Sequence, residues 1–424
     1  MCKQNPSFYV KTVLCSDGER LPVLVRREGG IPDFDATLWV VTSLRARGVA
    51  SATIEQALRS VIVLLLVLHS RKINFVERFR EGRYLDSGEI EAIAAAARQR
   101  QATIMSETVK ESEADIRRTA RNVVSLEKMR MVLPVREKGS DVDAGTTAIR
   151  MGYIRAFLKW RANQGILRAT GERKASLIML RDLVDADLQN RTPAVGRRAN
   201  VGDRMGIGVE ARDQLLRVVT MADSQNPWRG EFIRARNQFV VNAFLALGVR
   251  RSELLGVRTG DFRPLMQELL ILRRPDDEDD PRLNEPNVKT RDRVLPVSTE
   301  LYRMMKSYLI LRHEIVQGAH DFLVVSQNGD PLGKTEVNRI FRAFDSIPGL
   351  PKVTPHILRH TFCENLAADL HAAGKADEEI LVYLRRLGGW SDISNMPCRY
   401  TKRFAQERAA AAGMSLQRRL YDDT

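Results

Sequence analysis

The sequence holds few of the residues that metal clusters and disulfide frameworks require. Its 424 residues include four cysteines (Cys2, Cys15, Cys363, Cys398) and six histidines. No C-x-x-C or zinc-type spacing joins them, so the cysteines read as free thiols in a reducing compartment. No glycine-rich phosphate loop of the Walker type is present. The expectation is a chemistry that needs no metal, no nucleotide and no other cofactor. The longest apolar run, Val61 to Leu68, is too short to cross a bilayer and lies in a segment of helical period. Lys3, Gln4 and Asn5 interrupt any secretory start after Met1. A cytoplasmic location with no membrane partner is expected.

What the chain does have is positive charge. Sixty-seven Lys and Arg against 53 Asp and Glu give a net charge of +14, with a pI near 9.9. Such an excess calls for a polyanionic partner, and nucleic acid fits best where no basic amphipathic tail is seen. Hydrophobic content of 44% and charged content of 28% are those of a soluble globular protein. The length implies two or more domains.

The pattern divides the chain into a β-hairpin extension (1–33), a helical domain (34–189), a basic linker (190–207) and a C-terminal domain with its tail (208–424). Phe8 to Leu14 and Leu21 to Val25 flank the turn signal Ser16-Asp17-Gly18. Thr53 and Gln56 have capping-box spacing before a helix carrying Ile54, Leu58, Ile62 and Leu66. A second helix, about 146–163, puts Ile149, Tyr153, Phe157 and Trp160 on one stripe, which reads as core rather than as a base-stacking platform. Beyond the proline- and glycine-containing linker come further helices and two short strands, about 268–273 and 293–297. The acidic run Asp276 to Asp280 between them would be repelled by phosphate and is expected on a loop facing away from it. Tyr383 falls on an apolar helix face and reads as core.

Breaking a phosphodiester without a metal requires rigid cationic donors around the nonbridging oxygens, a nucleophile in line and an acid for the leaving oxygen. Arg250 and Arg359 can supply the clamp, His356 a hydrogen bond or proton transfer, and Tyr400 the nucleophile. A free tyrosine ionises near pH 10, so Tyr400 needs that cationic surround. Glu253 reads as an orienting or helix-capping group behind Arg250, and His360 as a structural neighbour of the reacting groups.

These residues stand in Gly248-Val-Arg250-Arg251-Ser-Glu253-Leu, His356-Ile-Leu-Arg359-His360-Thr-Phe and Leu387-Gly-Gly-Trp390, followed by Tyr400. In this order they resemble the tyrosine recombinases of the phage integrase family, strongly over 208–405 and more weakly over 34–170. The resemblance implies catalytic roles for Arg250, Lys289, His356, Arg359, Trp390 and Tyr400, with Lys289 as general acid on a β-hairpin and Trp390 packed against the phosphate. It implies a mainly α fold with a small β-sheet (α+β), in which a SAM-like helical core-binding domain and a catalytic domain close as a C-shaped clamp. The implied partners are double-stranded DNA at specific recombination sites, a homotetramer on synapsed DNA, and accessory or partner recombinases. The implied reaction cuts and rejoins DNA through a 3′-phosphotyrosyl intermediate, for a mobile element. A type IB topoisomerase-like relaxation and a catalytically idle DNA-binding accessory protein are the alternatives. The family pattern is departed from in three places. There is an additional glycine before Trp390, a longer interval to Tyr400 containing Pro397, and a long acidic 274–288 hairpin. Pro397 is expected to start or kink the helix of Tyr400, and the segment after Tyr400 to dock either on its own protomer or on a neighbour.

Overall fold

In the computed structural model, residues 8–100, 141–195, 206–288 and 290–422 are described. The chain forms two compact units, 1–199 and 200–424. It is mainly helical with small antiparallel sheets, the α+β class expected.

The first unit opens with strands β1 (Phe8–Leu14) and β2 (Arg20–Arg26), paired antiparallel with Phe8 opposite Arg26 and Leu14 opposite Arg20. Gly18 makes the connecting turn at φ 80°. Leu24 of β2 is fully buried in the core formed by the helices, so the hairpin packs onto that core. The helices are α1 (Phe34–Trp39), α2 (Ser51–Ser70), α3 (Phe75–Arg80), α4 (Ser87–Arg98), α5 (Ala144–Ile166) and α6 (Gly171–Asn190). Among the described residues, α2 alone is long and apolar enough to cross a membrane by length and composition. Ile54, Leu58, Val61 and Leu66 of that helix are buried in the core of this unit.

Two local expectations fail here. The capping box at Thr53 is absent because α2 begins earlier, with Ala50 as N-cap and no side-chain cap; the Ser51 hydroxyl donates to the Arg20 carbonyl of the hairpin. On α5 the buried stripe runs through Thr147, Met151, Ile154, Leu158 and Ala162, leaving Ile149 46% exposed. Phe157 is nonetheless core, set edge-on to Trp39 at 5.3 Å and stacked with Trp160 at 6.0 Å.

The second unit contains α7 (Val209–Val218), α8 (Glu231–Leu247), α9 (Arg251–Gly256), α10 (Thr299–Val316), α11 (Lys334–Arg342), α12 (Pro355–Ala372), α13 (Asp377–Gly388) and α14 (Cys398–Asp422). Its sheet is β3 (Phe262–Arg263), β4 (Glu268–Ile271) and β5 (Arg293–Pro296), antiparallel with β4 central. Helix α8 packs against both α10 and α12. Phe239 stacks on Tyr308 at 5.7 Å, and Phe244 meets Phe341 edge-on at 5.7 Å.

The acidic run does not hang free. Arg258 pairs with Asp277 at 2.7 Å and also with Asp321, while Arg282 pairs with Asp280 at 2.8 Å. Both guanidiniums lie over the Phe322 ring, at 3.7 and 4.5 Å. Flat cations over an aromatic face lose little by leaving water, so Asp277 and Asp280 are neutralised against the fold, while Glu278 and Asp279 stay exposed. Tyr383 is 38% exposed and bonds Glu379 at 3.1 Å, so it is not core.

Candidate functional site

The site begins where α8 ends. Gly248 closes that helix in the left-handed region at φ 59°, and a Cβ there would lie 2.1 Å from Phe362 on α12. Both the turn and the close approach require glycine. The chain then reaches Arg250, the N-cap of α9. Its backbone N–H donates to Glu253 Oε2 at 2.8 Å, and its Nη1 donates to Glu253 Oε1 at 3.0 Å.

Helix α12 supplies a second set. Thr354 caps it by accepting from the Ile357 N–H, and Pro355 occupies its first turn. His356, Arg359, His360 and Cys363 recur at i, i+3, i+4 and i+7, which puts them on one face. His356 is exposed, whereas Arg359 is 2% and His360 5% exposed. The two imidazoles share a hydrogen bond between their Nε2 atoms at 3.0 Å. Arg359 donates to the Gly248 carbonyl at 2.6 Å and the Gly388 carbonyl at 2.7 Å. Burial and the neighbouring Arg250 bring its guanidinium down to about 10.

Glu253 is the anchor of this set. Its side chain is fully buried, accepting from Thr290 Oγ1 at 2.5 Å and from Arg293 Nη2 at 2.6 Å, with Arg359 at 3.9 Å. Burial alone would raise its carboxyl, but Arg293, Arg359 and the Thr290 bond outweigh that and hold it at about 2. Three guanidiniums, those of Arg250, Arg293 and Arg359, surround one carboxylate. The balance is positive, which suits an arriving phosphate.

The additional glycine turns out to serve this geometry. Gly388 ends α13, and its carbonyl accepts from Arg250 at 3.3 Å as well as from Arg359. Gly389 is the left-handed cap at φ 70°, where a Cβ would meet Arg293 Nη1 at 2.7 Å. Trp390 follows, with the Arg359 and Arg250 guanidiniums 4.3 and 5.4 Å from its ring centre. Pro397 directly precedes α14 and starts it rather than kinking it, the Tyr400 N–H donating to the Pro397 carbonyl at 2.9 Å. Tyr400 therefore sits in the first turn. Its ring lies 5.2 Å from His360 and 5.9 Å from Trp390, and it is 4% exposed. Burial, with Cys363 beside it, pushes its hydroxyl up to about 12.

Arg250, Glu253, His356, Arg359, His360, Trp390 and Tyr400 are thus one connected cluster. Lys289 lies outside the described residues. Sequence reasoning did not single out Arg293, Thr290 or Cys363. Strand parity points to the first: on β5 Arg293 shares a face with buried Leu295. Thr290 carries no comparable signal, and Cys363 is marked only by falling on the α12 stripe.

The phage integrase family matches residues 211–407. The chain is 29% identical over 132 residues to a TnP I resolvase of Bacillus thuringiensis, covering 31% of this chain and 40% of that one. It is 27% identical over 221 residues to the tyrosine recombinase XerC of Agrobacterium fabrum, covering 51% and 64%. The chain spans about half the length of the curated relatives it matches. Among solved structures it resembles a XerH site-specific recombinase bound to a palindromic difH substrate, with 16% identity, 81% and 88% coverage and a TM-score of 0.45.

Proposed function

We propose that this chain, whose residues 211–407 match the phage integrase family, is a tyrosine recombinase that breaks and rejoins DNA at specific sites through a link between Tyr400 and a 3′-phosphate. The observation that carries this reading is the meeting of Arg250, Arg359, Trp390 and His360, the last bonded to His356, around one tyrosine in the first turn of α14.

Arg250 and Arg359 bind the two nonbridging oxygens, each with N–H groups beyond those its carbonyl partners use. Because backbone carbonyls and Glu253 already hold both forks, little reorganisation is needed as charge grows on the phosphate. Trp390 forms the wall beneath the guanidiniums and excludes water from them. His356, exposed at the head of α12, reaches the phosphate or the proton that Tyr400 gives up. Tyr400 attacks phosphorus, the P–O5′ bond breaks, and the leaving 5′-oxygen takes a proton, for which we assign Lys289 as donor. A 5′-hydroxyl from the partner strand reverses the step, so bond energy is retained.

Each protomer offers one Tyr400 and cuts one strand. Exchanging two duplexes takes four cuts, and a homotetramer on synapsed DNA follows from that stoichiometry. The helical segment 34–189 is assigned to gripping the duplex, 190–207 to linking it to the catalytic domain, and the biological task to a mobile element. Likeness to a TnP I resolvase supports that task.

The test uses a library of nicked duplexes of random sequence, 5′-labelled on the nicked strand. The fragment beyond the cleavage point diffuses away and traps the covalent complex, and sequencing the trapped strand reads the site. Wild type is expected to give a labelled, SDS-resistant adduct, and Tyr400→Phe none. Equal adduct from both proteins would remove Tyr400 as nucleophile.

A further inference from the structure

Gly206 and Ile207, the last residues of the 190–207 linker, are bonded to a part of α12 that the mechanism above leaves unused. Thr361, Glu364, Asn365 and Ala368 recur at i, i+3, i+4 and i+7, so they form a second face of that helix. The Gly206 N–H donates to both carboxylate oxygens of Glu364, at 3.0 and 3.1 Å, and the Ile207 N–H donates to Thr361 Oγ1 at 2.9 Å. Thr361 is 1% exposed, and its hydroxyl donates in turn to the Ile357 carbonyl at 3.0 Å. A Cβ at Gly206 would lie 2.7 Å from the Thr361 Cα, so only glycine lets the strap 206–208 lie this close to the helix. The strap lines a cavity of about 190 Å³, and Tyr400 lines the same cavity together with Glu364 and Ala368. We infer that Thr361 and Glu364 are positioning residues, which latch the strap to α12 and so limit how far the Tyr400 ring can retreat from the phosphate. This rests on the reading of Tyr400 as nucleophile.

The ring needs such a limit because its packing is uneven. His360 meets it at 5.2 Å and Trp390 at 5.9 Å, and Cys363, Ile380 and Leu384 share its buried cluster. Where it borders the cavity it has open space instead of packed neighbours. A cavity of roughly 150 Å³ takes a benzene ring, so the phenol has room to swing out of line. A shift of about 1 Å at a nucleophile is enough to cost much of its rate. The strap and Val209 supply wall to this space, and their placement depends on few contacts. Gly208 caps α7 with no side-chain bond, while Ile207 packs partly on the apolar core. The bonds to Glu364 and Thr361 fix where the strap lies along α12. A buried N–H left without an acceptor is costly, so loss of the Thr361 oxygen lifts the strap and widens the space beside Tyr400.

Two variants release the strap by different routes. Thr361→Val removes the acceptor for Ile207, and Gly206→Ala drives a methyl into the α12 backbone. Each is expected to slow single-turnover adduct formation roughly tenfold, with DNA affinity unchanged. Thr361→Ser restores the acceptor and should recover the rate lost in Thr361→Val. Adding Ala368→Leu to Gly206→Ala fills the cavity from the helix side and should recover most of that loss as well. Rates equal to wild type, DNA affinity falling in step with rate, or a double variant no faster than Gly206→Ala alone overturn the inference. A second readout needs no DNA. A fluorine label on the Tyr400 ring should give a shifted, broader resonance in Gly206→Ala, while hydrogen exchange speeds up at the Ile207 amide. An unmoved resonance beside a faster amide sinks the coupling even if adduct forms. A resonance that moves while wild type forms no adduct sinks the recombinase reading and keeps the strap.

Discussion

Among the described residues, the first unit buries five polar or charged side chains and the second buries thirteen. The first is a stack of helices around Leu58, Ile62, Ile93 and Phe157, and ion pairs such as Arg155–Asp185 keep a fifth or more of each side chain in solvent. The second has an equally continuous apolar core but threads Glu253, Arg293 and Arg359 through its edge with 5% exposure or less. Apolar burial stabilises a fold on its own, whereas buried charge is at best neutral for stability and harmful when one partner is lost. The difference teaches where selection has acted for chemistry. On the proposed function, the charge kept inside the second unit supplies the rigid, dehydrated cations that a phosphodiester in its transition state needs.

The comparison breaks most easily at Glu253. Glu253→Gln leaves three guanidiniums around a neutral amide, and about 4 kcal/mol of the second unit's stability should go with it, together with adduct formation. Calorimetry should show the second unit's transition falling while the first stays in place. The same residue predicts an acid signature. Its carboxyl is held at about 2, below the ordinary carboxylate range. Its contribution is therefore complete above that range and is lost as pH falls through it toward 2. The Gln variant should lack this part of the acid dependence; an unchanged acid profile would show that Glu253 is not the charge that matters.

A cut into the apolar side should behave differently. Leu58 is fully buried in α2, and Leu58→Ala should cost about 3 kcal/mol through the lost contacts and the cavity left behind. The loss should appear in the first unit's denaturant transition alone, with the second unit's midpoint unmoved. Parallel shifts in both would mean that the two units share their stability, and the contrast between them would lose its basis.

Much of this was legible because the site is written in short, stiff segments. Gly248 to Leu254 and His356 to Cys363 each place their groups by helix geometry, so the relative positions of Arg359, His360 and Cys363 follow from spacing alone. The α+β class came from the family resemblance, with helical periods broken by two short strands in agreement. What sequence could not supply were partners brought in from elsewhere. The start of α2 is set by Ser51 bonding the hairpin at Arg20, not by Thr53 and Gln56. The buried face of α5 is set by Trp39 and its other neighbours, which rotate Ile149 into solvent. The additional glycine before Trp390 makes sense only once Gly388 is seen to receive both arginines and Gly389 to turn the chain over Arg293.

The finest form of the comparison lies within three residues. Arg291 and Arg293 both form ion pairs, one on the surface and one inside. Arg291 meets Asp392 at 2.8 Å with side chains 61% and 85% exposed. Arg293 meets Glu253 at 2.6 Å with 5% and 0%, and also donates to the Leu387 carbonyl at 2.8 Å. Arg293→Ala should therefore cost roughly 3 kcal/mol and most of the adduct, since it strands a buried carboxylate. Arg291→Ala should move stability by less than about 1 kcal/mol, because water screens the lost pair and the backbone bond from its N–H to the Gly389 carbonyl survives. Its adduct yield should match wild type at moderate salt. If the two variants fall together, burial is not what separates a structural charge from a functional one in this segment, and the local backbone must be carrying the effect.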